Sequence, residues 1–178
     1  MKKTIRRGVF ETNSSSTHAM SIYTESDVDK IPGHLNVEGR NFDWDYEELK
    51  TPEEKISYLY TCLIERDCES CYQNKNEVRK RISAIQNMLY EKLYELGCEA
   101  RFNLVDTECR LFEDYDIVID HFSEIDHSFI NYALNHLDKY LDHRSIIITG
   151  NDNSTYDVDE ILEKRMGNVK YRMYTKGN

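Results

Sequence analysis

Proline and glycine are scarce in this sequence, with two and seven copies in 178 residues. That scarcity excludes collagen-like and linker-like chains. No hydrophobic run approaches the ~20 residues that a helix needs to span a bilayer. The basic opening, Met1-Lys2-Lys3-Thr4-Ile5-Arg6-Arg7-Gly8, leads into Glu11-Thr12-Asn13-Ser14 without the apolar stretch of a secretory signal. The expectation is a cytoplasmic chain that makes no membrane contact. Hydrophobic residues make up 39% and include thirteen tyrosines and six phenylalanines, enough apolar surface to exclude a wholly disordered chain.

Cysteine is sparse too. The five are Cys62, Cys68, Cys71, Cys98 and Cys109, and an odd number in a cytosolic chain argues against a disulfide framework. Cys68-Glu69-Ser70-Cys71 has the two-residue gap of a zinc knuckle, and Cys98 and Cys109 could complete four thiolates. These last two are separated by ten residues, however, whereas zinc ribbons pair two tight knuckles. The sequence therefore predicts no metal and no cofactor.

Charge is abundant and unevenly placed. The net charge is −10. Residues 1–23 hold four basic residues against Glu11, a balance of +3, while residues 24–70 hold five against thirteen acidic, a balance of −8. Residues 106–127 hold one against eight, or −7, and residues 164–178 hold five against none, or +5. Such a surface repels nucleic acid over most of its area, since each phosphate contact needs a cation. It attracts basic surfaces, including the channels in which other proteins hold nucleic acid. The two basic ends leave room for direct nucleic-acid contact.

The pattern of elements predicts an α/β or α+β fold: one domain over 1–178, a mixed sheet with flanking helices, and a long helical hairpin inserted at 51–97. Strands are expected over 5–10, 19–24, 101–105, 109–112, 115–119 and 169–174. Ile146-Ile147-Ile148, apolar between polar flanks, reads as a buried central strand. Residues 25–50 read as irregular and acidic. Thr51-Pro52-Glu53-Glu54 is a helix start, with a capping threonine, a proline at the first position and two acids against the helix dipole. That helix should run to about residue 66 on an apolar face of Ile56, Leu59, Tyr60 and Leu63. A second, over 76–96, carries Val78, Ile82, Ile85, Leu89, Leu93 and Leu96 at spacings of three and four, with Gly97 as its stop. Ser123 should cap one helix reaching about residue 141, and a short helix is expected over 157–166.

Two constellations bear on chemistry. Asn13, Ser14, Ser16 and His18 lie in a run of short polar residues after Arg6 and Arg7, and their hydroxyl and amide groups could grip a phosphate. If the run is extended, Ser14, Ser16 and His18 share one face. Without a glycine it cannot wrap a phosphate as a Walker loop does, so a turn or partner contact is the plainer role. Four histidines, His121, His127, His136 and His143, fall within 23 residues, but no HExxH spacing appears, and capping or solvated roles suffice.

The string Arg6-Arg7-Gly8-Val9-Phe10-Glu11-Thr12-Asn13-Ser14-Ser15-Ser16-Thr17-His18 resembles the opening of small proteins encoded by phages and prophages of Gram-positive gut bacteria. Among proteins similar to these are anti-CRISPR inhibitors of the type II RNA-guided DNA nuclease. The resemblance spans about the first twenty residues and carries no role to any one of them. It implies a binding protein rather than an enzyme, acting in a bacterial host cell, with the nuclease as partner. Its contacts would be carboxylates offered to a basic channel, at Asp43, Asp45, Glu47 and Glu48, together with Asn13, Ser14, Ser16 and His18. The rival readings are a phage structural or accessory protein that oligomerises through its hairpin, and a small enzyme acting on a phosphate-bearing substrate through the 13–18 segment.

Overall fold

A computed structural model describes residues 18–25, 27–28, 31–40, 42, 47–68, 75–104, 129–150, 158–165, 167–168 and 170–175. The expected strands at 5–10, 109–112 and 115–119 lie outside them, as do Asn13, Ser14, Ser16, Asp43 and Asp45. Among the described residues the chain is mixed α/β. In order it forms β1 (His18–Thr24), β2 (His34–Gly39), β3 (Glu47–Leu49), α1 (Pro52–Cys68), α2 (Lys75–Glu95) and β4 (Glu99–Leu104). There follow α3 (Ile130–Asn135), α4 (Leu137–Leu141), β5 (Ile146–Gly150), α5 (Val158–Arg165) and β6 (Tyr171–Thr175). Among the described residues no helix is long and apolar enough to cross a membrane.

Parallel and antiparallel pairings occupy separate sheets. β3, β5, β1 and β6 form an antiparallel sheet in that order, while β2 and β4 form a parallel pair. The Ile146–Ile148 run is indeed a central strand, flanked by β3 and β1. Side chains alternate across this sheet. Met20, Ile22, Ile146 and Ile148 face one side, where Ile161 and Leu162 of α5 pack on them. Tyr23, Leu49 and Ile147 face the other and join the larger core with α1, α3 and α4.

α1 starts as its sequence dictates. The Thr51 Oγ1 accepts from the Glu54 N–H at 3.2 Å, and the Glu54 carboxylate accepts from the Lys50 and Thr51 N–H groups, both at 2.8 Å. This is a capping box. The expected apolar face is buried, but so is everything from Lys55 to Glu65, because α1 lies at the centre of the core and is packed on several sides. α2 packs on it through Val78, Ile82, Ile85, Leu89 and Leu93; Leu96, expected in the same seam, is 38% exposed. α2 closes on Gly97 at φ +76°, with the Cys98 N–H bonded to the Leu93 carbonyl and the Gly97 N–H to that of Tyr94. These are the two bonds of a Schellman turn, and buried Leu93 and Cys98 supply its apolar contact.

Two expectations change, and the hairpin gains its place in the topology. Residues 25–50 are not irregular throughout: β2 and β3 lie within them, and β2 alternates buried Leu35 and Val37 with Asn36 and Glu38. The hairpin is the crossover that joins parallel strands β2 and β4, and it packs into the core they cover. The long helix expected to reach 141 is broken, since His136 at φ −136°, ψ 50° separates α3 from α4. No proline or glycine marks that break; the Tyr132 and His136 rings pack with centroids 4.4 Å apart across it.

Candidate functional site

The hairpin leaves one face of the β2–β4 pair open. Leu35, Val37, Ala100 and Phe102 turn inward, whereas His34, Asn36, Glu99, Arg101 and Asn103 are exposed and Glu38 is half-exposed. The strand register sets His34 beside Glu99, Asn36 beside Arg101 and Glu38 beside Asn103. At the α1 side of this face lies a cleft of about 530 Å³ lined by Asn36, Glu38, Arg40, Thr51, Glu53, Glu54, Ser57 and Asn103.

α1 builds the wall of the cleft by satisfying the outer edge of β2. The Asn36 N–H donates to the Glu53 carboxylate at 3.0 Å, the Glu38 N–H to the Ser57 hydroxyl at 2.9 Å, and the Arg40 N–H to the Thr61 hydroxyl at 3.3 Å. The Thr61 hydroxyl in turn donates to the Arg40 carbonyl at 3.2 Å. The match follows from geometry. Four helical residues advance about 6 Å, and two strand residues advance about 6.6 Å, so side chains spaced by four meet amides spaced by two. A strand edge that could recruit another chain is thereby closed.

The cleft is acidic. It holds Glu38, Glu53 and Glu54 against Arg40, whose guanidinium bonds Glu47 at 2.9 Å and lies 4.1 Å from the centre of the Phe42 ring. Burial alone would raise the Glu54 carboxyl, but the N–H groups of Thr51 and Lys50, the Thr51 hydroxyl and the charge of Arg40 hold it below its usual range. Among the described residues the Glu38 carboxylate has no hydrogen-bond or ion-pair partner.

The residues expected to bind a partner fall differently. Glu47 and Glu48 are half-buried residues of β3, not exposed loop carboxylates, and pair with Arg40 and Lys50. His18 opens β1, in register with Gly150. His136 separates α3 from α4, and His143 lies beyond α4, which ends at Leu141. Cys62, Cys68 and Cys98 are buried, while Cys71 and Cys109 lie outside the described residues. Among the described residues no three His, Cys, Asp or Glu side chains converge as metal ligands. Sequence reasoning missed Asn36, Glu38, Ser57 and Asn103; the one available signal was the four-residue spacing of Glu53, Ser57 and Thr61.

No protein-family model, curated protein or solved structure matches this chain.

Proposed function

We propose that this protein is a binding protein that blocks a nucleic-acid-handling enzyme by docking acidic, hydrogen-bonding surface on its basic channel. The target class is the type II RNA-guided DNA nuclease implied by the resemblance of residues 6–18. The observation that supports docking is the open β2–β4 face and its cleft, where the Glu38 carboxylate lacks a partner among the described residues. Carboxylates and amides on a rigid sheet suit arginine and lysine side chains, whose charge-assisted hydrogen bonds fix orientation while opposite charge speeds encounter.

The test is cleavage of target DNA by a guide-loaded type II nuclease titrated with wild-type protein and with Glu38→Lys/Glu99→Lys, at low and at physiological ionic strength. Wild-type protein should inhibit, and the reversed variant should need about tenfold more protein, a change of ~1.4 kcal/mol. Added salt should weaken the wild type more than the variant. Equal potency would remove the cleft from the mechanism. Absence of inhibition by the wild type would remove the nuclease as target.

A further inference from the structure

Near the end of α2 two aromatic rings stand in water. Tyr90 and Tyr94 are 43% and 66% exposed, their ring centroids 6.2 Å apart and their planes 15° from parallel. Both project from a helix that Leu89 and Leu93 fix in the core, so the pair is presented on a rigid support. Glu91 and Glu95 are exposed beside them. Residues four apart are neighbours on a helix surface, and like charges there oppose the helix. Glu95 also lies in the last turn, where the macrodipole disfavours an anion. Among the described residues neither carboxylate has an ion-pair partner. The helix thus carries two anions beside two exposed π faces, with Lys92 as the basic residue of that turn, an arrangement that a planar cation from outside can join.

We propose that the Tyr90–Tyr94 face of α2 is a docking platform for an arginine-bearing segment of a partner protein. A guanidinium is planar and weakly hydrated; it stacks on a tyrosine ring while its N–H groups reach a carboxylate. An ammonium offers a compact hydrated charge and gains less from the ring. A second copy of this chain fits poorly, because a two-fold contact centred on the two tyrosines would bring Glu91 and Glu95 against their own kind. The biological occupant rests on the basic target proposed above, and the chemistry of the platform does not.

The experiment uses the full chain and three synthetic peptides of equal length, alternating glycine with arginine, lysine or the neutral isostere citrulline. The arginine peptide should bind severalfold more tightly than the lysine peptide, and the citrulline peptide should not bind measurably. Tyr90→Ser/Tyr94→Ser keeps the net charge and should weaken arginine-peptide binding about tenfold, from two exposed cation–π contacts. Its urea midpoint should match the wild type. Unchanged affinity in that variant would show that binding follows net charge alone and would overturn the platform. A concentration-dependent dimer in sedimentation, lost in the same variant, would also overturn it in favour of a second copy. Running the variant in the nuclease assay separates the two proposals. Peptide binding without inhibition by the wild type keeps the platform and removes the target, whereas inhibition without ring-dependent peptide binding does the reverse.

Discussion

Lys55 is fully buried in the first turns of α1, where its ammonium donates to the carbonyls of Asp142 at 2.5 Å and Ser145 at 3.0 Å. The Tyr140 hydroxyl donates to the Lys55 carbonyl at 2.6 Å, so this residue ties the central helix to the turn that leads into β5. The same turn is fastened from its other side, where the buried Asp142 carboxylate accepts from the Arg144 N–H and guanidinium at 2.8–2.9 Å. Replacing Lys55 with methionine keeps the hydrocarbon and takes the ammonium from both carbonyls, of which that of Asp142 keeps the Ser145 N–H. The expected loss is about 2–4 kcal/mol, measured as a lower urea midpoint at unchanged slope. Burial also acts on the phenols. It pushes Tyr60 up to about 12 despite the hydrogen bond from Gln86, and pushes fully buried Tyr140 well above the ordinary value. The unfolded chain ionises these groups near pH 10. Stability from both is therefore complete below about pH 10 and falls as pH rises towards 12, because the unfolded chain loses protons that the native one keeps. Alkaline titration should show a late phenolate absorbance step coincident with unfolding, and Tyr60→Phe should lower the pH dependence of stability in that window.

At the scale of elements, the α1 ladder on β2 makes a local prediction. Ser57→Ala removes the acceptor of the Glu38 N–H and nothing else on that strand. The cost should be about 1–3 kcal/mol. Hydrogen exchange should accelerate most at the Glu38 amide, with the Asn36 and Arg40 amides, held by Glu53 and Thr61, less affected. Uniform acceleration along β2 would show that the three bonds act as one unit. Where the sequence was legible, local chemistry decided the outcome. Thr51, Pro52 and Glu54 start α1, Gly97 ends α2, and three isoleucines buried on both faces mark β5. Where it was not, tertiary partners decided. β3 is three residues long and exists through its pairing with β5. β2 does show alternation at Leu35 and Val37, but its acidic surroundings masked a signal of only two apolar residues. The break at His136 has no breaker residue. The cleft was hidden for the same reason, since its lining comes from β2, β4 and α1, and no window of sequence contains it.

At the scale of the whole molecule, the net charge of −10 opposes compaction as well as attracting basic partners. Screening should therefore raise the melting temperature as salt increases from low to physiological strength, by a few degrees, and the gain should level off once the Debye length falls to about 8 Å. A flat response would mean that ion pairs such as Arg40–Glu47 and Arg172–Glu25 already offset the repulsion. The topology has a consequence for the order of events during synthesis. β1 lies between β5 and β6, and its Met20 pairs with Thr175, 155 residues further along. The hairpin and the β2–β4 pair can assemble on the ribosome soon after residue 104 emerges, because they are partners to one another, and only the α1 surface that meets α3 and α4 has to wait. β1 has no such option. From its emergence until β5 is translated, this apolar segment waits with both edges bare, and one edge stays bare until β6 follows. Its safekeeping through that interval falls to the speed of translation and to the chaperones of the cell.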